Sequence, residues 1–328
     1  MCRANKNKAK RPKVNAFTLG FVRTYGQTAQ ARDLDSVELF AGEAAITVSA
    51  QQLGMHSVAY DKSYSESSIN DLCSRKGFRR ALQLVMRIKQ HGSLWGAPVC
   101  SSWVWISRGE GGRSTTCPAG NHTTDPRIAH ANRMVTLLVF LYLVAWRRGV
   151  HIFMENPLST IMHMFSPMME FIDSCLKHKV TCYMGAYGGD TVKPLSIWST
   201  TSKVARLWTK KPKMKKAKKL STTRAHGVDG NKKELKASQA YPLAFGKAVA
   251  AIFQALLQEQ RKRDLFEAMD SESDRHMYIW RERERKRERD QHEADMDGEL
   301  LEMLEKQHQD QHKRGTSTKK RRRRSSRK

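Results

Sequence analysis

The apolar residues of this chain gather between about residue 34 and residue 200, in short runs that alternate between strand-like and helix-like periods. "SVELFAG" (Ser36–Gly42) is a compact apolar run closed by glycine, the pattern of a buried strand and a tight turn. "EAAITVSAQQLG" predicts a helix stopped by Gly54. "HSVAYD" predicts a second strand ending at Asp61, "FRRALQLVMRIKQHG" an amphipathic helix with a glycine stop, and "SLWGAP" a third strand. About twenty-five residues without periodicity follow, long for a compact domain and therefore a candidate functional loop. A helix over Ile128–Arg148, a strand in "VHIFMENP", a helix around Ser159–Lys177 and strands in "KVTCYMGAYG" and "LSIWST" complete the zone. This rhythm predicts an α/β fold with a doubly wound, mostly parallel, Rossmann-like sheet. In such sheets chemistry lies at the carboxyl ends of the strands. Three strand ends carry notable residues: Gly42, the Pro98–Cys100 turn and Glu155-Asn156-Pro157.

The flanks read differently. Residues 1–30 are a polar, basic arm expected to be disordered, and 31–205 are the α/β domain. Residues 206–240 are a lysine-rich linker, and 241–260 a closing helix that starts near Pro242, since proline suits a first turn. Residues 261–328 alternate opposite charges at helical spacing and end in "KKRRRRSSRK". That tail is expected to be partly helical, a short coiled coil or a solvated single helix, and to offer a surface to a protein partner.

Charge changes the picture of partners. With 59 Lys and Arg against 32 Asp and Glu, the net charge is +27. Such an excess favours a polyanion, chiefly nucleic acid, and the terminal basic run suits nuclear import, with a cytoplasmic setting as the alternative. No membrane role is expected: "MVTLLVFLYLVAW" (Met134–Trp146) is too short to span a bilayer and reads as a buried helix, and the N-terminus lacks the apolar core of a signal peptide. The six cysteines show no CxxC spacing, and His122, His130 and His163 show no ligand spacing, so no metal is expected. The methionines of "TIMHMFSPMMEF" read as adaptable core.

The chemistry-bearing residues follow an order. A glycine at the first strand-to-helix turn lets a ligand approach the backbone, and the helix start offers free amides. A carboxylate ending the next strand, Asp61, can accept hydrogen bonds from two ribose hydroxyls. The G-x-G-x-x-G of dinucleotide-binding proteins is absent, and a plain βαβ unit reads equally from these residues alone.

Taken together, Glu38-Leu39-Phe40-Ala41-Gly42, Asp61, Asp71-Leu72, Ala97-Pro98-Val99-Cys100 and Glu155-Asn156-Pro157 resemble, in order and spacing, the motifs of class I S-adenosylmethionine methyltransferases, and in particular the DNA cytosine 5-methyltransferases. The resemblance covers about residues 34 to 200, half the chain. It implies S-adenosylmethionine as cofactor, with Glu38, Phe40, Ala41, Gly42, Asp61, Asp71, Leu72 and Pro98 lining its pocket. It implies Cys100 as the nucleophile that adds to C6 of a flipped cytosine, which makes C5 nucleophilic. Glu155 and Asn156 would hold the base, with Glu155 offsetting charge that develops on the ring. The acceptor is nucleic acid, DNA ahead of RNA. The long loop adds candidate contacts: Trp103 and Trp105 for stacking on a base, Arg108 and Arg113 for phosphate or for lowering a thiol pKa, and Lys193 near the fifth strand end.

The sequence also departs from that family. Val99 stands between proline and cysteine, where the family has none. Either Val99 takes the thiol's place or Cys100 keeps it, and in an extended turn the two side chains point different ways. The third residue of Glu-Asn-Val is Pro157, and the later arginine-rich motif has no counterpart; Lys193 offers charge there but no bidentate fork. Only the lysine-rich stretch occupies the place of a target-recognition domain. Two functions therefore remain open: an S-adenosylmethionine-dependent methyltransferase acting on nucleic acid, or a catalytically degenerate methyltransferase-like binder or scaffold with basic tethering arms. For Cys100 the competing reading is a small buried side chain.

Overall fold

A computed structural model describes residues 31–104, 107–212, 240–269 and 272–291 apart from 273 and 290, together with the backbone of 221–224 and 227–230. The expected N-terminal arm, most of the lysine-rich linker and the terminal basic run lie outside the described residues. The chain divides into two compact units, Met1–Gln260 and Arg261–Lys328.

In the first unit six strands form one sheet: β1 (Leu34–Leu39), β2 (Ser57–Tyr60), β3 (Ile88–Gly96), β4 (His151–Pro157), β5 (His178–Tyr183) and β6 (Pro194–Ser199), in the order β2-β1-β3-β4-β6-β5. The first four are parallel, while β6 lies antiparallel between β4 and β5. The helices are α1 (Ala45–Gln52), α2 (Arg75–Arg87), α3 (Pro126–Arg147), α4 (Ser166–Cys175) and α5 (Leu243–Glu267). Ser221–Arg224 and Gly227–Gly230 form a separate two-stranded pair, β7 and β8. The protein is thus α/β with a mostly parallel mixed sheet.

Period-2 alternation sorts the strand residues to two cores. Val37, Leu39, Leu94, Ile152, Met154 and Trp198 join one with α2, α3 and α4. Trp95, Phe153, Leu195 and Ile197 join the other with α1 and α5. Helices on both faces explain why the central strands read as continuous apolar runs rather than alternating ones. Helix α5 lies close against α1: a Cβ at Gly246 would stand 2.4 Å from the Ala45 carbonyl oxygen.

Three expected boundaries differ. The helix expected through His91 stops at Arg87, and Ile88–Gly92 begins β3 instead. That segment pairs Leu34 with Ile88, slips in register before Ser36–Ser93, and carries His91 at φ 61°, a bulge that apolar periodicity does not reveal. The helix expected over Ser159–Lys177 is a short 3-10 turn at Met162–Met164 followed by α4, which starts next to Pro167. The closing helix α5 runs on to Glu267 rather than stopping at residue 260.

Helix α3 has 22 residues and is long and apolar enough, by length and composition, to cross a membrane. The expected apolar stretch was only its second half. Its Val135, Leu138, Leu141, Tyr142 and Ala145 are buried in the first core. In the second unit, Lys262 pairs with Glu282 at 2.7 Å and Phe266 contacts Tyr278, between residues of the α5 end and of the charged helical stretch after it.

Candidate functional site

The turn after β1 is built under constraint. Phe40, Gly42 and Ala44 all have positive φ, at 60°, 53° and 54°. Two of these are not glycine, a conformation that costs about 1 kcal/mol or more each and persists only when neighbours enforce it. The neighbours are visible. Glu38 Oε2 accepts from the Thr47 amide at 2.8 Å and the Thr47 hydroxyl at 2.7 Å, fastening β1 to the first turn of α1. The Gly42 amide donates to Asp61 Oδ2 at 2.9 Å, and the Tyr64 hydroxyl donates to the Gly42 carbonyl at 2.7 Å. Asp61 Oδ1 accepts from the amide and hydroxyl of Ser63.

Next along the chain, Asp71 accepts from the Cys73 amide at 2.9 Å and pairs with Lys62 at 2.7 Å, which holds its carboxyl below the usual range against the opposing effect of desolvation. Behind it, α2 approaches so closely that a Cβ on Gly77 would meet the Asp71 carbonyl oxygen at 2.0 Å. These turns leave a cavity of about 460 Å³ at the carboxyl ends of β1, β2 and β3. Phe40, Asp61, Asp71, Leu72 and Val99 line it, and Asn70, also in its wall, has a buried Oδ1 with no partner among the described residues. Four of the expected pocket residues therefore meet around one space. Glu38, Ala41, Gly42 and Pro98 do not line it. Glu38 is the clearest departure: on the strand face opposite Leu39, it is buried, with Oε2 bonded to Thr47 of α1 and Oε1 without a partner among the described residues. Burial lifts its carboxyl to about 7 despite the two Thr47 bonds.

Past Val99 the loop stays on this cavity through Ser101, Ser102 and Ser107, while Cys100 does not line it. Val99 is the exposed residue of the pair, at 55%. Cys100 is half-buried, with Glu155 and Lys193 as its charged neighbours. Burial first, and Glu155 second, push its thiol up to about 11, with Lys193 opposing. Glu155 sits at the end of β4, buried, its Oε2 accepting from the Tyr241 hydroxyl at 2.8 Å. Burial raises its pKa, while Lys193 and the Tyr241 bond draw it down. Glu155 and Lys193 are thus close enough to Cys100 to act on its charge. Asn156 does not join them. As the next residue on a strand it faces the other way, where its Nδ2 donates to the Glu155 carbonyl at 2.8 Å and lies 3.7 Å from Met162 Sδ.

The loop residues expected at a nucleic-acid surface are also corrected in part. Trp103 is wholly buried, and the Arg113 guanidinium lies 3.4 Å from its ring centroid. Arg113 donates from Nη1 to the Pro118 carbonyl at 2.6 Å, and desolvation lowers its pKa to about 10. The pair is the inner packing of the long loop, a cation–π contact shielded from solvent, and it cannot also stack on a base or hold a phosphate. Arg108 is half-buried, and Trp105 lies outside the described residues.

Two features are not legible in the sequence. Tyr241 lies 86 residues from Glu155, and no local spacing links them. Asp71, Cys73 and His130 each bring one ligand atom to within 4.8 Å of the others, a group that could hold a metal ion where none was expected. His130 comes from α3, so its proximity arises from the fold; the Lys62 ammonium already rests on Asp71 there. No family model and no curated protein matches this chain.

Proposed function

We propose that this protein is a methyltransferase-type protein with a Rossmann-like domain that binds S-adenosylmethionine and acts on nucleic acid, DNA cytosine being the sharpest form of the reading. The observation that carries it is the adjacency of two half-sites at the carboxyl ends of parallel strands. One is a cavity walled by Phe40, Asp61, Asp71 and Leu72; the other is the Cys100–Glu155–Lys193 cluster immediately past Val99.

The donor set fits the cofactor's chemistry. About 460 Å³ is within the ordinary range of small-molecule pockets. Phe40 supplies an aromatic wall, Asp61 and Asp71 supply acceptors, and the unpaired Asn70 Oδ1 calls for a donor. When bound, the cofactor supplies an electrophilic methyl group. The protein's own residues do the rest: Glu155 is a buried carboxyl whose pKa burial raises, suited to hold a base, and Lys193 offsets negative charge at Cys100.

A second reading, a catalytically degenerate binder, has its own support in the same cluster. A thiol whose pKa is about 11 is not an activated nucleophile, and among the described residues Lys193 is the cation that acts on it. The basic excess supports nucleic acid as partner under either reading, with a nuclear setting, and the charged helical stretch offers room for a protein contact.

Calorimetric titration with S-adenosylmethionine comes first; a folded protein with no detectable binding sinks the methyltransferase reading. Incubation with 5-fluorocytosine-containing DNA follows. A covalent adduct that disappears in Cys100→Ser makes the protein an enzyme. Cofactor binding without an adduct selects the binder or a different acceptor.

A further inference from the structure

We propose that Tyr241 is the positioning residue for Glu155: its hydroxyl, carried in from the start of the closing helix, fixes the carboxyl that faces the acceptor. This rests on the methyltransferase reading and assigns one more residue to the same site.

The geometry is specific. The Tyr241 hydroxyl donates to Glu155 Oε2 at 2.8 Å across 86 residues of chain. Its ring is held on two sides, edge-on to Trp95 of β3 at 6.2 Å between centroids and tilted against Phe245 of α5 at 4.9 Å. Phe245 is in turn held by Trp95 and Tyr187. The hydroxyl is therefore delivered by a packed aromatic cluster, not by a free side chain. A carboxyl has two oxygens that rotate about one bond. Fastening Oε2 fixes the plane of the group and thereby the direction in which Oε1 points. That is the kind of second contact that a carboxyl holding a planar ring needs.

The bond also acts on protonation. The groups whose charge Glu155 shares come from every element around it: Lys193 ahead of β6, Cys100 after β3, Cys182 on β5, Tyr142 on α3, and Tyr241 itself ahead of α5. Of these, Lys193 and Tyr241 favour the ionised carboxylate, while burial favours the neutral acid. Without the hydroxyl, only Lys193 remains against burial, and the carboxyl titrates at higher pH.

The test uses the full chain with its glutamates labelled by ¹³C at the side-chain carboxyl. Glu155→Gln identifies the resonance, and its titration is compared in wild type and Tyr241→Phe. Phenylalanine keeps the ring contacts and removes only the hydroxyl. The expected result is an upward shift of the Glu155 titration, with adduct formation on 5-fluorocytosine DNA slowed about tenfold and S-adenosylmethionine affinity unchanged. If Tyr241→Phe does not fold, 3-fluorotyrosine at 241, a stronger donor, is expected to move the titration down. An unmoved titration, or an unchanged adduct rate, overturns the proposal. Wild-type protein that neither binds S-adenosylmethionine nor forms an adduct overturns the underlying reading, and with it the positioning role, whatever the titration shows.

Discussion

At the scale of single residues, two buried acids and one thiol decide what this site can do. Cys100 has a thiol at about 11, so at pH 8 about one molecule in a thousand carries the thiolate. Alkylation of Cys100 by iodoacetamide, followed by peptide mass spectrometry, is expected to be on the order of a hundredfold slower than that of a free exposed thiol and to accelerate up to pH 11. A fast reaction at pH 7 would remove the burial argument. Glu38 makes a stability prediction. Its pKa is raised from 4.5 to about 7, so the stability it contributes is fully present below pH 4.5 and is lost as pH rises through 7. Glu38→Gln, which keeps an acceptor for Thr47 and cannot ionise, is expected to gain about 3 kcal/mol over wild type between pH 4.5 and 8. Urea midpoints at the two pH values measure it. What the sequence could tell about these residues was uneven. Phe40 and Asp61 were legible because they follow strands directly; Asp71 and Leu72 follow a 3-10 turn and were legible only through the motif resemblance. Glu38 was placed in the pocket because its neighbours in sequence are there; strand alternation, which turns it to the other face, was the signal to weigh.

At the scale of elements, the site depends on how closely segments approach. Helix α2 touches the backbone of Asp71 at Gly77, whose carbonyl also accepts from the Tyr60 hydroxyl at 3.0 Å. Gly77→Ala must push Asp71–Leu72 away from α2, toward or across the cavity. It is expected to cost roughly 1–3 kcal/mol of stability and to weaken S-adenosylmethionine binding in calorimetry. Gly246→Ala, where α5 meets α1, is expected to lose similar stability but, through the attached Tyr241, to disturb Glu155 rather than the cofactor pocket. Equal effects of the two variants on cofactor affinity would contradict this division. The order of strands and helices was readable from the alternation of periods, since apolar runs bounded by Gly and Pro mark most of the elements. The β3 bulge at His91 was not, because "IKQHG" fits a helix end as well as a strand start. Nor was the packing of Trp103 under Arg113. Their types signal an exposed recognition loop, and only the bridge from Val104 to Thr160 and the ring contact with Phe165 draw them inward.

At the scale of the whole molecule, charge and topology set the remaining expectations. With a net charge of +27, affinity for nucleic acid is expected to fall on the order of 10³-fold between 50 and 200 mM salt. Fluorescence anisotropy with labelled duplex and single strands measures it. Deletion of residues 314–328 and of 209–219 is expected to flatten that dependence; an unchanged slope would place the binding surface elsewhere. The parallel α/β character of the sheet was legible in the rhythm of the chain, but strand order was not, because sequence periodicity carries no information on which strands pair.

That order has a consequence for synthesis on the ribosome. β6 sits inside the sheet, yet it is the last of the six strands to be made. Until it emerges, β4 has one open edge and β5 has both, so a nascent chain that has emerged to about residue 190 exposes three sticky strand edges at once. Tyr241 arrives about fifty residues later still. A ribosome pause between these points would hold a chain whose sheet is closed but whose Glu155 is not yet clamped, so the sheet can be completed well before the active arrangement is.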